Sequence, residues 1–214
     1  MKFRLNIAEI FARQPFFWDL FEFIFGANQE KRRIYRGVIS DNGKMLDFGC
    51  STGNTTGSFL DFEYYGVDIN RKYINWAKSK WIKQKNAHFI CANILKKPFP
   101  RSFFDFILFA GTGHHLNKKE LISLLSEFCR LLRPGGILYF FDILKPKNND
   151  NFLIKWLVSI DRGKYIRSEE EWQKIFRKEI SFSILERKVF FLTNTFIPQP
   201  NFIYFKLKKL NTKN

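Results

Sequence analysis

The sequence predicts an α/β fold: a seven-stranded, mostly parallel sheet with helices on both faces, extra N-terminal helices and an antiparallel hairpin at the C-terminal edge. Three observations carry that expectation. The stretch Met45-Leu46-Asp47-Phe48-Gly49-Cys50-Ser51-Thr52-Gly53 reads as a short buried strand that ends in a glycine turn and opens into a helix. Such a junction presents backbone N–H groups to a nucleotide-like ligand. A second apolar strand, Tyr64-Tyr65-Gly66-Val67-Asp68, ends in another acid about twenty residues beyond Asp47, where a carboxylate suits ribose hydroxyls. Downstream, short apolar runs alternate with segments of helical periodicity, the pattern of a doubly wound sheet.

Taken in order, residues 7–26 are dense in aromatics, with Asp19 and Glu22 as a narrow polar stripe. A helix from Pro15 must then be covered over most of its circumference, as a lid, by packing on the sheet edge, or by contact with a membrane surface. Asn28 is placed to cap a second helix running to about residue 39, and residues 40–43 turn into the first strand. Residues 52–60 read as the helix after the glycine turn, 70–83 as an amphipathic sheet-covering helix, and 87–92 as the third strand. Residues 104–109 are apolar except for Asp105, as in a strand buried on both faces. That strand leaves through Ala110-Gly111-Thr112-Gly113-His114-His115, small residues followed by two histidines at the rim where ligands sit in such sheets. Asn117 caps a helix to about residue 132, Pro134-Gly135-Gly136 stops it, and a fifth strand covers 137–143. Ser168 and Glu171 form a capping box, and residues 183–192 and 201–208 alternate as a closing hairpin. Just before that box, Arg162, Tyr165 and Arg167 either engage an anionic acceptor or belong to a loop held by Asp161.

Composition narrows the function. The 214 residues, 45% apolar, suffice for one domain with a substantial core. No run of about eighteen uncharged apolar residues occurs, and Arg4, Glu9 and Arg13 interrupt the N-terminus, so neither a membrane span nor a signal peptide is expected and a cytoplasmic setting is the default. Cys50, Cys91 and Cys129 lack metal-site spacing and read as reduced thiols, with Cys50 either a nucleophile or a small residue tolerated beside the ligand. The net charge of +16 ordinarily points to nucleic acid or an anionic membrane. Here the basic residues are scattered, and the joint abundance of Phe, Lys, Asn and Ile is the bias of an AT-rich genome.

The glycine turn and acidic strand ends resemble those of the class I S-adenosylmethionine-dependent methyltransferases, whose turn reads roughly D-x-G-x-G-x-G. The resemblance continues through Ala92-Asn93-Ile94, Phe104-Asp105-Phe106-Ile107, His114-His115-Leu116 and Leu132-Arg133-Pro134-Gly135-Gly136, over residues 40–145. It implies a Rossmann-like core, S-adenosylmethionine as cofactor, and a single domain divided into a helical lid (1–40), a cofactor-binding core (41–145) and an acceptor side (146–214). Carried onto this chain, Asp47 orients the turn; Gly49, Cys50, Ser51 and Gly53 line the methionine end; Asp68 with Ile69 holds the ribose side; Asn93 and Ile94 flank the adenine; and Ala110 closes the crevice. His114 and His115 fall where the acceptor is met, either as a general base or as pocket walls. Two positions depart from the family. Ser51 replaces a glycine, which calls for ordinary dihedrals at that position, and Asn93 replaces an acid. The acceptor expected is a small or lipid-like molecule. An RNA methyltransferase, which would use the charge, and a non-catalytic binding protein on the same fold are the alternatives. A nicotinamide-dependent oxidoreductase is disfavoured because the turn lacks G-x-G-x-x-G spacing.

Overall fold

A computed structural model describes residues 14–16, 19–20, 27–39, 42–160, 163–178, 182–191 and 200–210. Most of the aromatic N-terminal segment, the 40–41 turn and the Asp161–Arg162 pair lie outside the described residues. The elements are α1 (Ala27–Val38), β1 (Lys44–Phe48), β2 (Glu63–Asp68), α2 (Arg71–Lys80), β3 (Ala87–Cys91), β4 (Phe104–Ala110), α3 (Lys118–Leu131), β5 (Leu132–Ile143), α4 (Phe152–Ile160), α5 (Glu169–Lys178), β6 (Phe182–Phe190) and β7 (Phe202–Lys209). The strands form one seven-stranded sheet in the order β3-β2-β1-β4-β5-β7-β6. The first five run parallel, and β7 is antiparallel to both β5 and β6. The last strand therefore enters the sheet inside the hairpin, leaving β6 as the edge.

Every central strand is apolar on both faces because both are covered. Leu46, Ile107, Phe109, Phe140 and Phe205 face one layer, with Leu125 and Phe128 of α3 and Trp172 and Phe176 of α5. Met45, Leu108, Tyr139 and Tyr204 face the other, with Ile34 and Tyr35 of α1 and Ile74 and Ala77 of α2. The period of two along each strand sorts neighbours into opposite layers, so a register slip of one residue would exchange the two cores.

Local chemistry sets the element ends. The Asn70 side chain accepts from the Lys72 and Tyr73 N–H groups to start α2, and Asn117 with Glu120 makes a full capping box for α3. Ser168 and Glu171 form the expected box on α5. Elsewhere the expected boundaries shift. Helix α1 begins at Ala27, so Asn28 lies inside it rather than capping it. Residues 52–60 form only turns and a single 3-10 turn at Thr56–Ser58. Their run Thr-Gly-Asn-Thr-Thr-Gly-Ser is made of poor helix formers, which outweighs the family precedent. Strand β5 begins at Leu132, directly after α3, and absorbs Pro134-Gly135-Gly136 as an irregularity in its pairing with β4.

Gly136 sits where that irregularity crosses the sheet. A Cβ there would lie 2.9 Å from the Arg133 carbonyl oxygen and 3.0 Å from that of Asp105. Both are backbone atoms that cannot rotate away, so Gly136→Ala should cost about 1–3 kcal/mol. Urea unfolding checks this, and an unchanged midpoint would show that the strand relaxes freely.

Candidate functional site

The carboxyl ends of β1, β2 and β4 converge, and the turn after β1 is the centre of the site. Its Gly49, Ser51 and Gly53 all have positive φ, at 77°, 51° and 71°. Gly49 and Cys50 donate to the Val67 carbonyl at 2.8 and 3.2 Å, which extends the β1–β2 pairing into the turn. The sequence calls for ordinary dihedrals at Ser51. Instead Ser51 keeps the left-handed conformation in which the family has glycine, at a cost of about 1–2 kcal/mol. Its N–H donates to Asp68 Oδ2 at 3.1 Å, an interaction that holds it there.

Asp68 ends β2 and accepts a second N–H, from Asn70 to Oδ1, at 2.8 Å. Burial raises its pKa, opposed by N–H groups of Asn70, Ser51 and Ile69. The next side chain, Ile69, is 78% exposed. An acid with directed lone pairs thus stands beside an open apolar surface.

Asp47 lies beneath the turn rather than in the crevice. It is buried, and its Oδ2 accepts from the Tyr64 hydroxyl at 2.5 Å; Thr56 Oγ1 in turn donates to that hydroxyl at 3.1 Å. The chain of contacts ties β1, β2 and the 3-10 turn together. Burial pushes the Asp47 carboxyl up to about 7, against the Tyr64 hydrogen bond, with the nearby Asp68 charge adding to the rise. Cys50 packs in the same layer, and burial pushes its thiol well up. That is the reverse of what activates a nucleophile, and leaves Cys50 a packing residue.

The β4 exit closes the crevice from the other side. Ala110 ends the strand, and the hydroxyl of Thr112 donates back to its carbonyl at 3.1 Å. A Cβ on Gly49 would stand 2.7 Å from Thr112 Oγ1, so the two turns abut. Sequence reasoning missed Thr112, whose only signal was its place in a run of small residues. Asn93 is exposed and caps the 3-10 turn Ile94–Lys96, its Oδ1 accepting from the Leu95 N–H at 3.0 Å. Ile94 is only 2% exposed and packs in the core, so its side chain does not face the crevice.

The two histidines separate. His115 is exposed; His114 is buried, with Nδ1 on Asp142 Oδ1. Asp142 lies near the end of β5 and is fully buried, and its Oδ2 has no hydrogen-bond partner among the described residues. The tail clamps this corner. Tyr165 donates its N–H to the His114 carbonyl at 2.9 Å. Buried Arg167 donates to the carbonyls of Gly113, Tyr165 and Leu116 at 3.1, 3.1 and 2.7 Å and lies 4.8 Å over the Trp172 ring. Arg167 thus holds backbone instead of facing an anionic acceptor.

On the N-terminal side, Asp19 accepts from the Thr52 hydroxyl, from Trp76 Nε1 at 3.0 Å and from Lys80 Nζ at 3.0 Å. These bonds outweigh burial and lower its pKa. Beside them lies a cavity of about 420 Å³ bordered by Phe16, Leu20, Arg32 and Asn54.

Asp47 generates a prediction of its own. The folded chain keeps that proton to about pH 7, whereas the ordinary value is 3.8. Between these values the fold binds more protons than the unfolded chain, so this contribution falls as pH rises from about 4 to 7 and is level above. Asp47→Asn should remove that slope and be the more stable form above pH 7, by up to a few kcal/mol at about 1.4 per pH unit. Urea midpoints of both proteins from pH 5 to 8 check it, and parallel curves would place the proton elsewhere.

The family described as "Methyltransferase domain" matches residues 46–140, from β1 through most of β5. The demethylmenaquinone methyltransferase of Staphylococcus aureus is 24% identical over 169 residues, covering 72% of this chain and 69% of that protein. A S-adenosylmethionine-dependent methyltransferase from Methanosarcina mazei superposes with TM-score 0.68 at 20% identity, over 84% of this chain and 98% of that one. The [4+2]-cyclase SpnF superposes with TM-score 0.68 at 15% identity, over 87% and 82%. The structural likenesses share the fold, and SpnF shows by its description that this fold hosts other reactions. The family match across the cofactor half and the sheet that carries it support a class I S-adenosylmethionine-dependent methyltransferase.

Proposed function

We propose that this enzyme methylates a small, lipid-like acceptor, with S-adenosylmethionine held across the ends of β1, β2 and β4. The observation that carries the cofactor assignment is Asp68: its carboxylate is fixed by two backbone N–H groups at the end of β2, between the left-handed turn and exposed Ile69. In this reading Asp68 accepts the ribose hydroxyls, Ile69 covers one adenine face, and the backbone of Gly49, Cys50, Ser51 and Gly53 borders the methionine end. The exposed Asn93 edges the adenine, Ala110 floors the crevice, and Ile94 and Asp47 act from beneath by packing. The donor set fits a nucleoside without phosphates, since acceptors and apolar surface outnumber cations at these strand ends. The relative named for demethylmenaquinone supports an apolar small-molecule acceptor.

The bound cofactor supplies an activated methyl on a sulfonium with a neutral leaving group. The protein's own task is then to orient the acceptor, and proximity dominates the rate. Where the acceptor carries a proton, His114 is the base. Asp142 on Nδ1 sets the tautomer that leaves the Nε2 lone pair as the proton acceptor, and it steadies the imidazolium once formed. His115, exposed beside it with ring centroids 4.2 Å apart, shapes the rim.

Ser51 does not favour the non-catalytic alternative, because its backbone keeps the shape that the family glycine would adopt.

Calorimetric titration with S-adenosylmethionine and its demethylated product tests the cofactor assignment. Micromolar binding of both is expected, near −8 kcal/mol. Asp68→Ala should lose about 1.5–3 kcal/mol of that affinity. Unchanged binding removes Asp68 from the site, and no binding to folded wild type returns the non-catalytic reading. For the base, Asp142→Asn should slow transfer to an acceptor that carries a proton about tenfold or more while leaving cofactor affinity unchanged, as read by initial rates beside the calorimetry. An unchanged rate would leave His114 a pocket wall.

A further inference from the structure

We infer that the outward face of α4 docks the enzyme on an anionic lipid surface. The helix, Phe-Leu-Ile-Lys-Trp-Leu-Val-Ser-Ile, turns Leu153, Ile154 and Val158 partly inward. Phe152 and Trp156, one turn apart, point to solvent with 80% and 48% of their surface exposed, and Lys155 and Ser159 flank them on the same side. A folded chain gains nothing by leaving two neighbouring large aromatics in water; a bilayer interface is where a Trp and a Phe beside a lysine are stable.

The charge around this face selects the partner. Among the described residues from 145 to 164, Lys145, Lys147, Lys155 and Lys164 are all exposed, against Asp150 as the one acid. Lys155 Nζ donates to the Asn148 carbonyl, which orients the cation without neutralising it. The whole chain carries +16. An anionic lipid surface is attracted to such a face, with each lysine near it worth about a fivefold gain. A second copy of the chain would bring four more lysines to the same contact.

The placement gives the docking a use. The segment 144–151 leads from the end of β5 into α4, and at its start, two residues past Asp142, the Leu144 N–H donates to Asn201 and that of Lys145 to Arg167. It leaves α4 into the loop whose Tyr165 N–H donates to the His114 carbonyl, and the Tyr165 ring is itself 41% exposed. The segments before and after α4 are thus both tied to the corner that holds His114. Docked there, the acceptor side lies against the bilayer and an apolar substrate can enter without crossing water. Binding to lipid requires no methyl transfer, so this inference and the acceptor assignment fail separately.

The test is co-sedimentation of the full chain with phosphatidylcholine vesicles, with and without phosphatidylglycerol. Binding is expected only to the mixed vesicles and should weaken with salt. The Phe152→Ser, Trp156→Ser pair should reduce it at least about tenfold, and Lys155→Ala about fivefold. Both sites are exposed, and an unchanged thermal melt confirms that each variant is folded. Brominated lipid should quench wild-type tryptophan fluorescence more than that of Trp156→Phe. Equal binding to neutral vesicles, an undiminished double variant, or no binding at all overturns the inference. So does a concentration-dependent dimer in sedimentation velocity that the double variant abolishes, which would assign the face to a second copy.

Discussion

The contact on which the site depends is the hydrogen bond from the Ser51 N–H to the Asp68 carboxylate. It joins the turn after β1 to the end of β2, and it does so through a residue in the left-handed region, where any side chain but glycine is strained. Strain of that kind persists only when the surroundings over-determine it. Here they do: Gly49 and Cys50 donate to Val67, Thr52 is tied to Asp19, and the Trp81 indole donates to the Gly53 carbonyl. The turn is therefore held from the strand below, from the N-terminal segment above and from the end of α2.

The two strand-end acids look equivalent in sequence and differ in structure because the register offsets them along one sheet face: Asp47 pairs with Gly66, and Asp68 lies two residues further toward the strand ends. Asp47, flanked in β1 by residues buried on both faces, points into the layer of Tyr64 and Cys50 and is held by a hydroxyl. Asp68 stands one strand over as the last residue of β2, where backbone N–H groups reach both oxygens. One acid belongs to the foundation of the crevice and the other to its wall. The charge at the wall adds to the rise of the Asp47 pKa below it.

Most of the sheet was legible because it depends on side-chain patterning. Strands such as 104–109 are apolar runs with one break, helix α2 announces itself by its amphipathic period, and α3 by its asparagine cap. What escaped depends on backbone geometry and distant partners. The helix expected over 52–60 shrinks to one 3-10 turn partly through weak propensity, which the run itself displays, and partly through a distant partner it does not, Arg32 donating to the Asn54 carbonyl. The position of β7 inside its hairpin is likewise invisible in an alternating pattern, as is the role of Asp142, an acid within an apolar strand that gains meaning only from a histidine 28 residues earlier. The left-handed Ser51 was misread because substitution at a glycine position suggests a changed backbone, whereas the hydrogen bond to Asp68 kept the old one.

The acceptor corner is assembled on a different principle from the cofactor half. There the backbone of one turn is held by its neighbours in the sheet; here a tail segment more than fifty residues away supplies the order. Arg167 spends its guanidinium on three carbonyls of the Gly113–Leu116 and Tyr165 backbones, and a buried cation in that role is tolerable because Asp142, Glu171 and the Trp172 ring face it. The same fixation immobilises His114 between Asp142 on its ring and Tyr165 on its carbonyl. A substitution at Arg167 therefore acts on the acceptor corner as a whole, while the turn that carries Asp68 retains its own independent supports.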